Sequence, residues 1–331
     1  MAKKVTLDDV ARETGLSKYA VSRAISGKPG VSSATRERVL QMCEKLGYTR
    51  TPSTAALKYI VLFAPKSQMD TAAFWMRVIQ GVETAATQKG FTLSLKTVEE
   101  TTDEAEVQAL LQNAAGAIFI SHKTCDLIQQ AEGHCPTLLL TYPPVPLIQT
   151  DCLNISDSEA MEALCDYMIS WGHRRIAYYG PTKRIFGMEL IQGISRSMGK
   201  AGLAPAEIWS DTETPDSYQN TVAMLTERKK QDNFPTAILC ASDQLAQSVI
   251  YALGLLSISV PQEVSVTSFN SDTGLSTVIP VTSMGFDKFR YGVEAFNILY
   301  QRILNPELPF RRIRYIQQFV RGSTAGELYR K

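Results

Sequence analysis

Residues 6–48 read TLDDVARETGLSKYAVSRAISGKPGVSSATRERVLQMCEKLGY, and their spacing predicts three short helices. Thr6 stands where it caps the first, with Asp9 in the opening turn, where a carboxylate complements the helix dipole. Leu7, Val10 and Ala11 fall at i, i+3, i+4 and give that helix one apolar stripe. Gly15 supplies a tight turn, and Leu16 is the apolar residue available to plug the angle behind it. Ser17 is a strong N-cap for a second helix whose buried face is Val21, Ala24 and Ile25. Ser32 caps a third, with Val39, Cys43 and Leu46 inward and Gly47 at the C-terminal cap position.

Two helices joined by a glycine turn and braced by a third form the helix-turn-helix plan, whose second helix enters the major groove of DNA. The outward side chains of that helix are Ser17, Lys18, Tyr19, Ser22 and Arg23, donors suited to guanine acceptors and phosphate oxygens. Lys28 adds a cation just beyond it, suited to a sequence-independent contact. The competing reading is a three-helix bundle with a solvated cationic face. Charge distribution favours the first. Residues 1–58 hold eleven Lys/Arg against five Asp/Glu, a net +6, while the remainder carries 23 basic and 28 acidic residues, a net −5. A near-neutral chain that stores its positive charge in one terminal domain fits a polyanion partner.

The run Val5–Val39 resembles the headpiece of the LacI/GalR family of bacterial transcriptional repressors. The residues that carry the likeness are Asp9-Val10-Ala11, Gly15-Leu16-Ser17, Ala20-Val21-Ser22-Arg23, Gly27, Val31-Ser32 and Thr35-Arg36-Glu37-Arg38-Val39. Carried over by position, the resemblance makes Lys18, Tyr19 and Arg23 base readers and Ser17 and Ser22 phosphate contacts; Ala20 stands where the family usually has Thr. In that family a hinge segment follows, whose leucine wedges into the minor groove. Aligned on Gly47-Tyr48, Leu57 takes that position, where an apolar side chain can part-unstack a base step. Arg50 replaces the hinge proline, Pro52 is displaced and Ala55 replaces the hinge arginine. Leu57 is therefore either the wedge or the first buried residue of the strand that starts at Tyr59.

The 331 residues exceed one typical domain. At 44% hydrophobic and 20% charged, with no apolar run of about eighteen residues, the chain reads as globular with no membrane partner. The N-terminus MAKKVTLDD lacks the apolar region of a secretory signal. The six cysteines are scattered without a CxxC pair, which suits a reducing cytosol better than zinc or disulfides. No P-loop, nucleophile elbow, GxGxxG or metal-spaced cluster appears, so neither an enzyme, nor a cofactor, nor a metal is expected.

From Tyr59 onward strands and helices alternate, which predicts parallel sheets flanked by helices, in two lobes. Strands are expected at 59–64, 91–95, 117–120, 137–141, 153–156, 175–179, 237–240, 264–269 and 313–320. Helices are expected at 72–89, 103–113, 124–132, 158–171, 186–201, 217–230, 244–253 and 288–304. The family likeness continues through Phe74-Trp75, Trp171–Ala177, Ser242–Ala246, Val260–Val266 and Val320–Ala325. It implies an all-α helix-turn-helix headpiece over 1–58 and a periplasmic-binding-protein-like α/β core over 59–331. The N-lobe would comprise Tyr59–Asp157 plus about Asp287–Arg312, and the C-lobe Ser158–Phe286 plus the last strand, with an effector in the cleft.

Cleft candidates lie at strand ends, where ligands of open α/β sheets bind. Phe74 and Trp75 suit stacking on a flat or sugar face, or packing against the lobe. His122 follows a strand; Asp243 and Asn270, each just after one, are polar anchors, although Asp243 has the alternative of capping the next helix. Phe286 completes the set. Where the family commonly carries an arginine three residues before a glycine, this chain has Leu190 before Gly193, which leaves three alternatives: Arg184 or Lys183 replaces it from the preceding loop, the effector is more apolar, or none binds. Asn270-Ser271 replaces a pair of aspartates. The function expected is a homodimeric, cytoplasmic, nucleoid-associated repressor, its affinity for operator DNA set by a sugar-like effector. The rival is a solute-binding protein of the same core fold with no DNA role.

Overall fold

The computed structural model describes residues 7–17, 20–21, 24, 31–46, 58–66, 72–99, 102–120, 124–131, 134–141, 148–210, 218–273 and 280–328. The chain divides into two compact units, Met1–Leu57 and Lys58–Lys331.

In the first unit, α1 (Leu7–Thr14) ends where Gly15 turns the backbone at φ +67°, a left-handed conformation that glycine takes without a Cβ clash. Ser17 Oγ then accepts the Ala20 N–H at 3.1 Å, and Ala20, Val21 and Ala24 are helical, so the predicted capping serine starts the second helix. In α2 (Ser33–Leu46), Ser32 Oγ accepts the Thr35 N–H at 3.2 Å in the same manner. Val10, Ala11, Val21, Ala24 and Val39 are buried together, with Leu16, Cys43 and Leu46 packed against them. Arg38 on α2 donates to the Thr14 carbonyl and ties the third helix to the end of the first.

The second unit holds two six-stranded sheets. The first runs β11-β5-β4-β3-β1-β2 and is wholly parallel. Its strands are β1 (Lys58–Pro65), β2 (Phe91–Val98), β3 (Gly116–Ile120), β4 (Thr137–Leu140), β5 (Asp151–Ile155) and β11 (Arg312–Tyr315). The second runs β12-β10-β9-β8-β6-β7. It comprises β6 (Ile176–Gly180), β7 (Glu207–Ser210), β8 (Ala237–Cys240), β9 (Ser265–Asp272), β10 (Thr282–Phe286) and β12 (Gln318–Val320), the last antiparallel at the edge. The apolar run of β1 serves both faces of its sheet: Ile60, Leu62 and Ala64 join one core, Val61 and Phe63 the other. Helices α3 (Ala72–Gln88), α4 (Glu104–Asn113), α5 (Cys125–Ala131) and α10 (Lys288–Leu304) belong to the N-lobe. Helices α6 (Asp157–Ser170), α7 (Ile185–Lys200), α8 (Tyr218–Lys229) and α9 (Asp243–Leu255) belong to the C-lobe.

The chain crosses between lobes three times: from β5 to α6, from β10 to α10, and from β11 to β12. The last crossing corrects the strand expected over 313–320. That segment is two strands in different sheets, and the two residues between them, Ile316 and Gln317, belong to neither. Two strands escaped the sequence reading altogether. EIWS in β7 is four residues long with only Trp209 buried, and TSMGF in β10 has too few β-branched residues to declare itself. β9 runs on through Asn270, Ser271 and Asp272, so Asn270 lies inside a strand rather than after it.

Candidate functional site

Of the residues proposed to meet DNA, Ser17 is exposed and caps its helix. Lys18, Tyr19, Ser22, Arg23, Lys28 and Leu57 lie outside the described residues, as does His122 of the cleft set.

The strand ends of the core assemble the remaining candidates. Phe74, in the first turn of α3, packs edge-on against Trp75 with ring centroids 4.9 Å apart. It also meets Phe286, at the end of β10 in the other lobe, at 5.9 Å. Phe286 continues the series to Tyr291 at 5.5 Å and Tyr315 at 5.7 Å, so aromatic rings line the lobe junction from α3 to β11. The Lys288 ammonium lies 4.8 Å from the centre of the Phe74 ring. Burial pulls its pKa down from the usual lysine range, opposed by the carboxylates of Asp272 and Asp243.

Asp243 opens α9, yet the cap is its neighbour: Ser242 Oγ accepts the Leu245 N–H at 3.2 Å. The carboxylate is left to accept the Ser271 hydroxyl at 2.5 Å. Asn270 has φ +57° and no partner in the β9–β10 register, which passes from Phe269–Met284 to Ser271–Gly285. It is a bulged residue in a conformation that asparagine tolerates better than most. Its buried Oδ1 has no hydrogen-bond partner among the described residues. Arg184 is exposed at the N-cap of α7 and is drawn into neither group.

Sequence reasoning missed four residues here. Asp272 restores a carboxylate two positions beyond Asn270; its Oδ2 accepts from Arg77 Nε at 3.3 Å, bridging the lobes. Lys288 sits in the turn where sequence marks only a helix start. Asp157 and Glu189 line a cavity of about 320 Å³ at the first crossover, together with Glu159, Gln192, Arg196 and Arg314. Burial, then the neighbouring Glu189 carboxylate, raise Asp157 well above the usual carboxylate range, against a hydrogen bond from Gln317; burial raises Glu189. Their signal was faint, because an acid in the first turn of α6 reads as a dipole-compensating residue.

Other positions resolve into packing. Leu190 is fully buried in the C-lobe core, so the position the resemblance assigns to an arginine holds a core leucine. His173 is buried between Thr236 Oγ1 at 3.0 Å and the Gly326 carbonyl at 3.1 Å and fixes its loop. On α3, Val78 and Val82 are buried in the core shared with α10, leaving Met76, Gln80 and Glu83 exposed. No described helix is long and apolar enough to cross a membrane, and no described cluster of His, Cys, Asp or Glu is arranged to hold a metal.

Comparison with known proteins agrees with this geometry. The model of the bacterial regulatory proteins of the lacI family matches residues 6–51, and that of the periplasmic binding protein-like domain matches residues 165–324. The HTH-type transcriptional repressor PurR of Proteus mirabilis (strain HI4320) is 27% identical over 323 residues, spanning 91% of each chain. Among solved structures, the lac repressor dimer bound to operator and the anti-inducer ONPF superposes with a TM-score of 0.69 at 22% identity, covering 99% of this chain and 100% of that one. The transcriptional regulator CelR in complex with cellobiose gives 0.66 at 25% identity, covering 97% and 99%. A capped helix-turn-helix unit that matches the lacI-family model thus precedes a two-lobed core that matches the periplasmic binding protein-like model, so the chain joins a lacI-family DNA-binding domain of bacterial transcriptional regulators to a periplasmic-binding-protein-like core.

Proposed function

We propose that this protein is a homodimeric repressor whose affinity for a pseudo-palindromic operator is set by a small, sugar-derived effector held between the core lobes. Two headpieces would read two half-sites, matching the two-fold symmetry of the dimer. Lys18, Tyr19 and Arg23 are assigned to base edges, Ser17, Ser22 and Lys28 to phosphates, and Leu57 to the minor groove. In the core, Phe74, Trp75 and Phe286 are assigned to the ring faces of the effector and Asp243 and Asn270 to its hydroxyl groups, with His122 and Arg184 as further contacts. The exposed Met76–Gln80–Glu83 edge of α3 is assigned to the dimer. The protein would act in the cytoplasm, at the nucleoid.

The observation that supports this reading most directly is the gathering of Phe74, Trp75 and Phe286 around Lys288 at the lobe junction, with Asp243 acting on the same ammonium. Aromatic faces beside a few convergent polar groups suit a small cyclic ligand. The related CelR in complex with cellobiose supports a sugar. Gel-shift titration against DNA selected from a random pool, at increasing salt, tests the DNA role. Affinity should fall steeply with salt while preference for one palindrome persists. A flat response and no preferred duplex would support the solute-binding alternative instead. Arg23→Ala should relax base preference at one position of each half-site, whereas Lys28→Ala should weaken all duplexes alike. Equal loss of specificity in both variants would overturn the assignment of readers.

A further inference from the structure

The N-lobe sheet is wholly parallel, so its six strands begin at one end. The chain leaves for the headpiece from that end, since Leu57 closes the first unit and Lys58 opens β1. The segments gathered there hold Lys58, Lys89, Arg311 and Arg312 against Glu132 and Glu307, whereas the chain from residue 59 on carries a net −5. All four cations are exposed. Lys58 pairs in register with Phe91, two residues after Lys89, so the two lysines share one side of the sheet end. Arg311 and Arg312 lead into β11 at the opposite edge. Strands lie about 4.8 Å apart, so the five steps from β2 to β11 make a row about 24 Å long. Toward the far end of the same sheet the cations are paired, Lys66 with Glu99 and Lys96 with Glu106; Lys58 and Lys89 have no such acid among the described residues. The Lys89 ammonium lies 5.6 Å from the centre of the Tyr300 ring, a contact that leaves its charge unmatched. Arg311 lies 3.7 Å from Asp151, whose charge Arg302 already matches at 3.0 Å. Arg312 donates to the carbonyls of Ile148, at 2.8 Å, and Thr150, which cancel no charge. A lysine just after a helix C-terminus complements the helix dipole, which accounts for Lys89 after α3 but not for cations at strand starts.

We propose that this end of the N-lobe is a second DNA-contacting surface, where Lys58, Lys89 and Arg311 meet backbone phosphates without reading bases. The inference rests on the DNA role proposed above and adds the core to the surface that carries it. With Leu57 assigned to the minor groove, Lys58 follows one Cα–Cα step of about 3.8 Å further on, so no spacer holds the sheet end away from the duplex. A net-negative core brought that close to a polyanion is repelled, and a cationic row on the tethered end reverses the sign locally. The row is longer than the width of a major groove, about 12 Å, so it spans phosphates on both sides of one.

The test uses the full chain in gel-shift titrations from about 50 to 200 mM KCl, against the palindrome selected from the random pool and against an unrelated duplex. Each phosphate contact contributes about 0.9 to the slope of log affinity on log salt. The triple variant Lys58→Gln, Lys89→Gln, Arg311→Gln should therefore bind both duplexes more weakly, with a slope shallower by about 2.7. Over this range of salt it should lose about 40-fold less affinity than wild type, with its preference for the palindrome intact. Exchanging one cation for another at the same positions, Lys58→Arg, Lys89→Arg and Arg311→Lys, should keep the wild-type slope. Removing three exposed C-lobe cations, Lys200→Gln, Lys230→Gln and Arg321→Gln, should also keep it. An unchanged slope in the first triple would overturn the proposal. So would an equal fall in the C-lobe triple, which would reduce the effect to net charge, or a loss of palindrome preference alongside the slope, which would assign these residues to base reading. Should the first triple fail to fold, Lys58→Gln with Lys89→Gln takes its place, with a slope shallower by about 1.8. A wild type whose own binding ignores salt would instead sink the DNA role itself, and this surface with it.

Discussion

At the scale of single residues, buried charge is tolerated where every lone pair is answered. Asp151 is wholly buried, and both its oxygens take hydrogen bonds from Arg302, Nε at 3.0 Å and a terminal nitrogen at 3.2 Å; the Arg311 backbone N–H adds a third at 2.7 Å. Arg302 also donates to the carbonyls of Pro306 and Pro309 and lies 4.7 Å from the Phe310 ring, so one side chain holds the loop that leads into β11. Removing the cation alone strands the carboxylate. Arg302→Met should cost about 3–5 kcal/mol in urea unfolding, and Asp151→Asn in that background should recover part of it. His173 gives a prediction in pH. Burial holds its pKa below the ordinary histidine value, so the unfolded chain takes up a proton first as pH falls. Stability supplied by the neutral ring is therefore full above about pH 6.5 and is lost as pH drops through that value toward the lower folded pKa. Unfolding measured from pH 7.5 to 5 should show a shallower acid-side loss for His173→Asn than for wild type, and parallel curves would refute the assignment.

At the scale of elements, the N-lobe depends on two helices that touch backbone to backbone. A Cβ on Gly81 of α3 would lie 2.1 Å from the Phe289 carbonyl oxygen, and one on Gly292 of α10 would lie 2.0 Å from that of Val78. Main-chain atoms cannot rotate aside, so Gly81→Ala should cost about 1–3 kcal/mol or more, while Gly199→Ala, with open space around it, should be near neutral or stabilising. Elements of this kind were legible wherever pattern and burial coincide: Lys288–Leu304 shows a helical stripe along its length, and KYIVLFAP is apolar because both its faces are covered. What remained hidden depends on partners distant in sequence. Residues 313–320 form one extended apolar-polar run, and only pairing with β5 on one side and β10 on the other cuts it in two. The aromatic half of the cleft could be read from Phe74-Trp75, since aromatics opening a helix after a strand point to a site. Asp157, Glu189 and Gln317 could not, because an acid in a first helical turn is ordinary until its neighbour from another helix proves to be a second acid. Leu190 shows the complementary limit: a family position fixes where a residue falls in the chain, and the local turn of α7 decides that this one faces the core.

For the whole molecule, function requires that lobe geometry be an equilibrium, and the polar contacts across the junction are what set its balance. Among the described residues they include Arg77 to Asp272, Arg314 to Glu159, and Gln317 to Asp157. The first is the least exposed ion pair of these, with the Asp272 side chain at 8% and its second oxygen accepting from the Lys288 N–H at 3.4 Å. An exposed pair contributes about 0–1 kcal/mol, but one this sheltered is worth more to the present lobe arrangement. Arg77→Ala should therefore shift the core toward open lobes, with a larger radius of gyration in solution scattering than wild type. Arg228→Ala, which breaks an ion pair internal to the C-lobe, should leave the scattering unchanged. If lobe closure is coupled to the headpieces by about 1–3 kcal/mol, operator affinity should change about 5–150-fold for Arg77→Ala and remain at the wild-type value for Arg228→Ala. Opening without any change in operator affinity would mean that the sensor closes without informing the reader.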